Sequence, residues 1–145
     1  MKSADDKVGG RSRVTAYLEE QGALVRSGGY WNCLAAAGEL SALLLAEGRR
    51  PWIARLRKTE AVGGRVFHAP LIARVPGVAA AWTTHYVCCC DGMAFDPVAG
   101  RPSRLEAYSS EVFGEEFPLE VFVAAGELPD YLERRHARPP LDRIP

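Results

Sequence analysis

The chain has 145 residues, 48% of them hydrophobic, which suffices for one compact domain with its own core. Its 18 basic and 18 acidic residues cancel, so no global field draws it to nucleic acid or to an anionic membrane. No stretch approaches the roughly 18 to 20 apolar residues that span a bilayer, and Met1–Arg13 has no apolar signal core, so the expectation is a soluble, cytoplasmic protein. Three of the four cysteines, Cys88, Cys89 and Cys90, are consecutive, and strand neighbours point to opposite faces. That suits no ordinary disulfide and fits a reduced compartment.

Residues 1–10 offer almost nothing apolar to bury, which predicts a disordered N-terminus. Val14, Tyr17 and Leu18 recur at helical spacing before Gly22 and predict a short amphipathic helix of about 10 residues. In Gly28-Gly29-Tyr30-Trp31-Asn32-Cys33, Asn32 suits a helix N-cap. The apolar run that follows, with Leu34, Ala37, Leu40, Leu43, Leu44 and Leu45, forms the helix up to Glu47-Gly48. A helix this apolar belongs at the centre of a fold. Cys33 falls on its first turn, where free N–H groups and the positive end of the helix dipole stabilise a thiolate, and it is the candidate nucleophile.

Pro51–Arg57 reads as a strand through Ile53 and Leu56, and Lys58–Gly64 as a loop or hairpin turn ending in a Gly-Gly pair. Val66, Phe67, Leu71, Ile72 and Val75 mark a second extended segment, which Pro70 confines to an edge or breaks. After a turn at Pro76-Gly77, Trp82–Cys90 is the next strand. Asp91-Gly92 then closes a two-residue hairpin onto Met93–Asp96, which Pro97 stops. Ser103 and Glu106 have capping-box spacing for a helix through about Phe113. Leu119–Val123 is a last strand, Pro129–Arg135 a short helix, and residues 138–145 an extended tail, leaving one domain over 11–137.

The Asp91-Gly92 turn sets a register in which Cys90 faces Met93, Cys89 faces Ala94, Cys88 faces Phe95 and Val87 faces Asp96. Alternation then puts His85, Val87, Cys89 and Asp96 on one face, with His85 and Asp96 as diagonal neighbours. An aspartate so placed accepts the imidazole Nδ1 proton and holds the other ring nitrogen toward a thiol, provided the Cys33 helix packs across that face.

A helix-start cysteine followed by His and Asp on adjacent antiparallel strands resembles the papain-like superfamily, including its transglutaminase-like, bacterial papain-fold toxin and lasso-peptide-leader peptidase branches. The likeness covers roughly residues 28–100. It rests on Asn32-Cys33-Leu34 leading a helix that ends at Gly48-Arg49-Arg50-Pro51, on Trp82-Thr83-Thr84-His85-Tyr86-Val87, and on Phe95-Asp96-Pro97-Val98-Ala99-Gly100. The resemblance implies an α+β papain-like fold, with a central helix carrying the cysteine packed on a small antiparallel sheet carrying the histidine and aspartate. It implies Cys33 as nucleophile, His85 as general base and then acid, and Asp96 as orienter. The reaction it implies is acyl transfer from an amide of a protein or peptide substrate, as a cysteine peptidase, glutamine deamidase or transglutaminase, with no cofactor. Papain-type enzymes place an oxyanion-stabilising Gln several residues before the cysteine. Here Ser27 stands six residues before Cys33 and the nearest Gln is Gln21, so the Cys33 backbone N–H and Asn32 are the oxyanion candidates.

Each of these residues has a plainer reading: Cys33 as a small core side chain, His85 as a structural strand histidine, Asp96 as a turn residue before Pro97. His68 is a rival base without a carboxylate at matching register, and His136 follows Arg134-Arg135 as a solvated side chain. A zinc site built from His85 and the cysteine run is disfavoured, because alternation splits the run and no second Cys-x-x-Cys pair exists. Cys89 shares the His85 face as filler or second thiol. Trp31 and Trp82 line a peptide groove or pack the core. Arg49, Arg50, Arg55 and Arg57 read as a solvated face. No nucleotide-binding glycine fingerprint occurs. The rival from another class is a catalytically idle papain-like module that binds peptides or proteins.

Overall fold

The computed structural model describes residues 7–8 and 11–137, with side chains over 12–135. Strands β1 (Lys7–Val8) and β2 (Arg11–Ser12) pair antiparallel ahead of helix α1 (Arg13–Ser27), and the rest of the predicted N-terminal disorder lies outside the described residues. Helix α2 (Cys33–Ala46) leads to strands β3 (Trp52–Leu56), β4 (Lys58–Val62), β5 (Arg65–Ala69), β6 (Leu71–Ile72) and β7 (Ala81–Trp82). Then come β8 (His85–Cys90), β9 (Met93–Asp96), β10 (Arg101–Arg104), helix α3 (Leu105–Phe113), β11 (Glu120–Val123) and helix α4 (Leu128–Ala137). The class is α+β. The main sheet runs β10-β9-β8-β3-β11 with every pair antiparallel, while β4-β5 and β6-β7 form separate two-stranded ribbons.

Alternation along β8 divides the core in two. Cys88 and Cys90 face the helices, packing with Leu40 and Leu44 of α2, Leu18 of α1 and Leu128 of α4. Val87 and Cys89 face the other way, onto Tyr108, Val112 and Phe113 of α3 and onto Leu71, Ala73 and Val78. The cysteine run is thus filler for both layers, all four cysteines are free thiols, and no group of three potential metal-ligating side chains is gathered among the described residues. None of the described helices is long and apolar enough to cross a membrane.

Several expectations need correction. Helix α1 has 15 residues and passes straight through Gly22, which is buried and faces the carbonyl of Pro97. A glycine that reads as a helix stop is there to let the helix approach the turn after β9. Lys58–Val62 is a strand rather than a loop, because Gly63 and Gly64 take positive φ (58° and 78°) and close a hairpin with β5. Trp82–Cys90 is broken at Thr83-Thr84 into β7 and β8. Ser103 caps nothing; it pairs with Ala94 inside β10, a strand the polar sequence Arg-Pro-Ser-Arg conceals, and α3 starts after Arg104 without a side-chain cap. The tail beyond 137 lies outside the described residues, as does the His136 side chain. Of the expected solvated arginines, Arg49 pairs with Asp91 at 2.7 Å, and Arg55 and Arg57 both pair with Glu120.

Candidate active site

Asn32 starts the site by starting α2. Its backbone is extended, and its side-chain oxygen accepts from the Ala35 N–H at 2.9 Å, which fixes Cys33 as the first helical residue. The Asn32 side-chain oxygen is therefore committed to the cap, and Cys33 is buried at 8% exposure.

The hairpin has the register set by its turn: Cys88 faces Phe95, Cys89 faces Ala94 and Cys90 faces Met93, with Asp91 and Gly92 both at positive φ (52° and 76°). His85 and Asp96 come together on one face, at 0% and 1% exposure, with Nε2 2.7 Å from Asp96 Oδ2. The ring nitrogen on the carboxylate is thus Nε2, not the expected Nδ1. Nε2 lies at the tip of the ring and reaches a diagonal neighbour, whereas Nδ1 stays close to its own backbone. Nδ1 is buried and makes no hydrogen bond of good geometry. It is the nitrogen left to the Cys33 thiol, and such contacts tighten when substrate binds.

Helix α2 does not lie across the His85 face; its apolar side covers Cys88 and Cys90 on the opposite one. The thiol still meets the ring because β9 pairs with β8 only from Cys88 onward. The edge of β8 at His85–Val87 is free there, and the start of α2 fills it. The Tyr86 backbone N–H lies close enough to the Cys33 sulfur to favour its thiolate.

Asp96 holds its place through three donors. The Val98 N–H reaches Oδ1 at 2.9 Å, closing a turn in which Ala99 and Gly100 also bond back to the Asp96 carbonyl. His85 and the Tyr108 hydroxyl both donate to Oδ2. Asp96 is thus at once a turn residue and the partner of His85. Tyr108 is the site residue that the sequence reading missed: it is fully buried and comes from α3, and no local pattern announces its contact with Asp96.

Charges follow from this geometry. Burial disfavours an imidazolium, but the Asp96 charge and hydrogen bond, assisted by Cys33, hold His85 up at about 9. Burial likewise disfavours a thiolate. Hydrogen bonding and charge from His85, with the Tyr86 N–H, outweigh burial and the opposing Asp96, and Cys33 lies below its ordinary value. The positive end of α2 acts in the same direction. Cys88, without such partners, is pushed by burial to about 12, and Cys89 and Cys90 are also raised.

Trp82 and Trp31 wall the imidazole at ring-centre distances of 4.5 and 6.1 Å, Phe113 stands at 5.4 Å, and the two indoles meet edge to face. Both also line a small cleft of about 130 Å3 with Gly28, Gly29, Ala79 and Ala80. The Trp31 indole N–H donates to Gln21 Oε1 at 3.0 Å, so a residue twelve positions before Cys33 is drawn to the wall of the site with its amide N–H groups uncommitted. His68 pairs with Thr59 in the exposed β4-β5 ribbon, apart from this cluster. Compared with protein-family models, curated proteins and solved structures, the chain matches none.

Proposed function

We propose that the protein is a thiol-dependent amide hydrolase or acyltransferase of papain-like type, acting on a protein or peptide as a glutamine deamidase or cysteine peptidase. The observation that carries this reading is the buried chain Cys33–His85–Asp96, in which the thiol is held down and the imidazole held up relative to their ordinary values. Such a pair favours the thiolate and imidazolium forms over an ordinary thiol and imidazole.

The thiolate attacks the amide carbonyl carbon, forming a C–S bond and driving the carbonyl electrons onto oxygen. The Cys33 backbone N–H is the first donor for that oxyanion, and the Gln21 amide, oriented by Trp31, is the side-chain candidate. On collapse the C–N bond breaks, and His85 gives its Nδ1 proton to the departing ammonia or amine. Water then attacks the thioester while His85 takes its proton, the C–S bond breaks, and the carboxylic acid product leaves. Asp96 keeps the ring in place throughout and stabilises its charged form. An amine in place of water gives transglutamination.

A peptide-binding module without turnover is the second reading, favoured by the near-complete cover of His85 and the low exposure of Cys33. Ammonia release and peptide cleavage, measured on a set of glutamine-containing peptides, decide between the two. Turnover that disappears in both Cys33→Ala and His85→Ala supports the enzyme; turnover retained in Cys33→Ala refutes the assignment. Binding to those peptides with no turnover and no thiol activation supports the module.

A further inference from the structure

A groove of about 640 Å3 opens beside the nucleophile, lined by Asn32, Leu34 and Ala35 at the start of α2 and by Tyr131, Arg134 and Arg135 of α4. Asn32 and Leu34 are the chain neighbours of Cys33, so the groove opens beside that residue, although the buried Cys33 side chain is not itself part of its wall. Its walls differ in character. Leu34, Ala35 and the Tyr131 ring are apolar, whereas the two guanidinium groups bring two positive charges that the mechanism above does not use.

Among the described residues neither arginine forms an ion pair. Glu39 and Arg135 both act on the Tyr17 hydroxyl, yet no salt bridge joins them. Arg135 is also seated deliberately. Its guanidinium lies against Gly38 of α2, so close that a Cβ there would fall 1.5 Å from Nη1, and that nitrogen is buried without a hydrogen-bond partner. Packing one nitrogen against the helix restricts the guanidinium to one orientation at the groove wall. A planar, permanently charged fork of this kind matches a carboxylate through two parallel N–H···O bonds. An apolar floor beside it accepts the carbon stem that such a carboxylate carries.

We propose that the groove is a recognition subsite for a carboxylate-bearing residue of the substrate, adjacent to the amide that Cys33 attacks. This inference rests on the thiol chemistry above and narrows its substrate to an acidic peptide segment. The carboxylate has two possible sources, an aspartate or glutamate side chain or the peptide's own C-terminus.

The test compares alkylation of Cys33 by iodoacetate, which carries a carboxylate, and by neutral iodoacetamide, using the full chain and peptide mass mapping. Two positive charges about 8 Å from a reaction centre in a water-like medium favour an anionic reagent by about fivefold, an advantage that shrinks in high salt, and that is the size of effect expected here. In Arg134→Gln/Arg135→Gln the ratio of the iodoacetate to the iodoacetamide rate falls by about that factor. Gly38→Ala, which evicts the Arg135 guanidinium while keeping its charge on the chain, lowers the ratio part of the way. A ratio that is the same in all three proteins overturns the subsite. The iodoacetamide rate alone reports the parent reading: if Cys33 has no advantage over Cys90 near pH 6, the thiol chemistry itself has failed, and the subsite falls with it.

Protection of Cys33 then identifies the source. The competitors are acetyl-Ala-Glu-Ala-amide, acetyl-Ala-Gln-Ala with a free C-terminus, and neutral acetyl-Ala-Gln-Ala-amide. Protection by the first assigns a side-chain carboxylate and by the second a C-terminal one. Equal protection by the neutral peptide counts against any carboxylate preference and overturns the proposal.

Discussion

Replacing Asp96 with Asn keeps the size of the side chain and an oxygen for the Val98 N–H while removing the charge that faces His85. The consequence follows from the balance at the imidazole. Burial is the largest influence on His85 and acts to lower its pKa; Asp96 is the main force that reverses it and brings the group to about 9. Without that charge burial prevails, and the imidazole falls below its ordinary 6.5. The change from about 9 to below 6.5 corresponds to at least about 3 kcal/mol of lost preference for the imidazolium. Cys33 then loses the positive partner that offsets its own burial, and its thiol rises above the ordinary range. The measurement is the rate of iodoacetamide alkylation at Cys33 across roughly pH 5 to 10, with near-ultraviolet circular dichroism as the check on folding. The wild-type profile shows a reactive thiolate on the acid side of an ordinary cysteine. In Asp96→Asn the rate near pH 6 drops by at least about tenfold, as follows from a loss of more than 1.4 kcal/mol. Superimposable profiles for the two proteins would show that Asp96 does not set the charge of His85, and the electrostatic reasoning would fail.

Removing the thiol changes stability with pH in a direction that can be worked out. A raised His85 contributes stability that is complete below 6.5 and is lost as pH rises toward about 9, whereas a depressed Cys33 contributes stability present above its unfolded value of 9.0 and lost as pH falls through its folded one. Above the folded value of Cys33 and up to about 9, the folded and unfolded states of the wild type therefore bind equal numbers of protons at this pair, and its contribution is flat there; in Cys33→Ala only the histidine contribution remains. Denaturant midpoints of Cys33→Ala minus wild type should fall across that window, and a flat difference would contradict the ion pair. Tyr108→Phe removes a donor from the buried Asp96 carboxylate and should cost about 1.5 to 3 kcal/mol in chemical denaturation; a loss under about 0.5 kcal/mol would mean that the hydroxyl contributes nothing there. Gly22→Ala puts a Cβ 3.1 Å from the Pro97 carbonyl and 3.0 Å from Arg26 Nη1, so despite better helix propensity it should lower stability by about 1 kcal/mol, and a more stable variant would disprove tight packing of α1 on this turn.

What could be read in the sequence is what short-range rules decide. Asn32 before an Ala- and Leu-rich run gives the start of α2, and Asp91-Gly92 gives a turn whose register puts Asp96 diagonal to His85. What escaped depends on partners far along the chain. Gly22 looks like a stop unless the Pro97 turn is known to press on it. The Ser103 and Glu106 spacing mimics a cap, because β10 gains its strand character from pairing with β9 and not from its own residues. Which face α2 covers was equally hidden, since a helix apolar nearly all round points no single side at the sheet. Tyr108 reached Asp96, and Gln21 reached Trp31, only through the tertiary packing of α3 and α1.

The four cysteines make the chain its own control for why Cys33 differs. All are buried and none is bonded to another, so residue type and loss of solvent do not separate them. Burial by itself moves a thiol upward, as at Cys88, which reaches about 12 even with the Ser41 hydroxyl directed at its sulfur. Cys33 departs in the opposite sense because its sulfur meets an imidazole supported by Asp96, a free backbone N–H at the unpaired edge of β8, and the start of a helix. Each of these depends on a different element, α2, β8 or β9, and a protein that needed only a small apolar filler at position 33 has no use for their convergence. In one sample near pH 6, therefore, iodoacetamide should mark Cys33 while leaving Cys88 and Cys89 untouched. Uniform labelling of the four would mean that the convergence confers no reactivity, and the case for an activated nucleophile would end there.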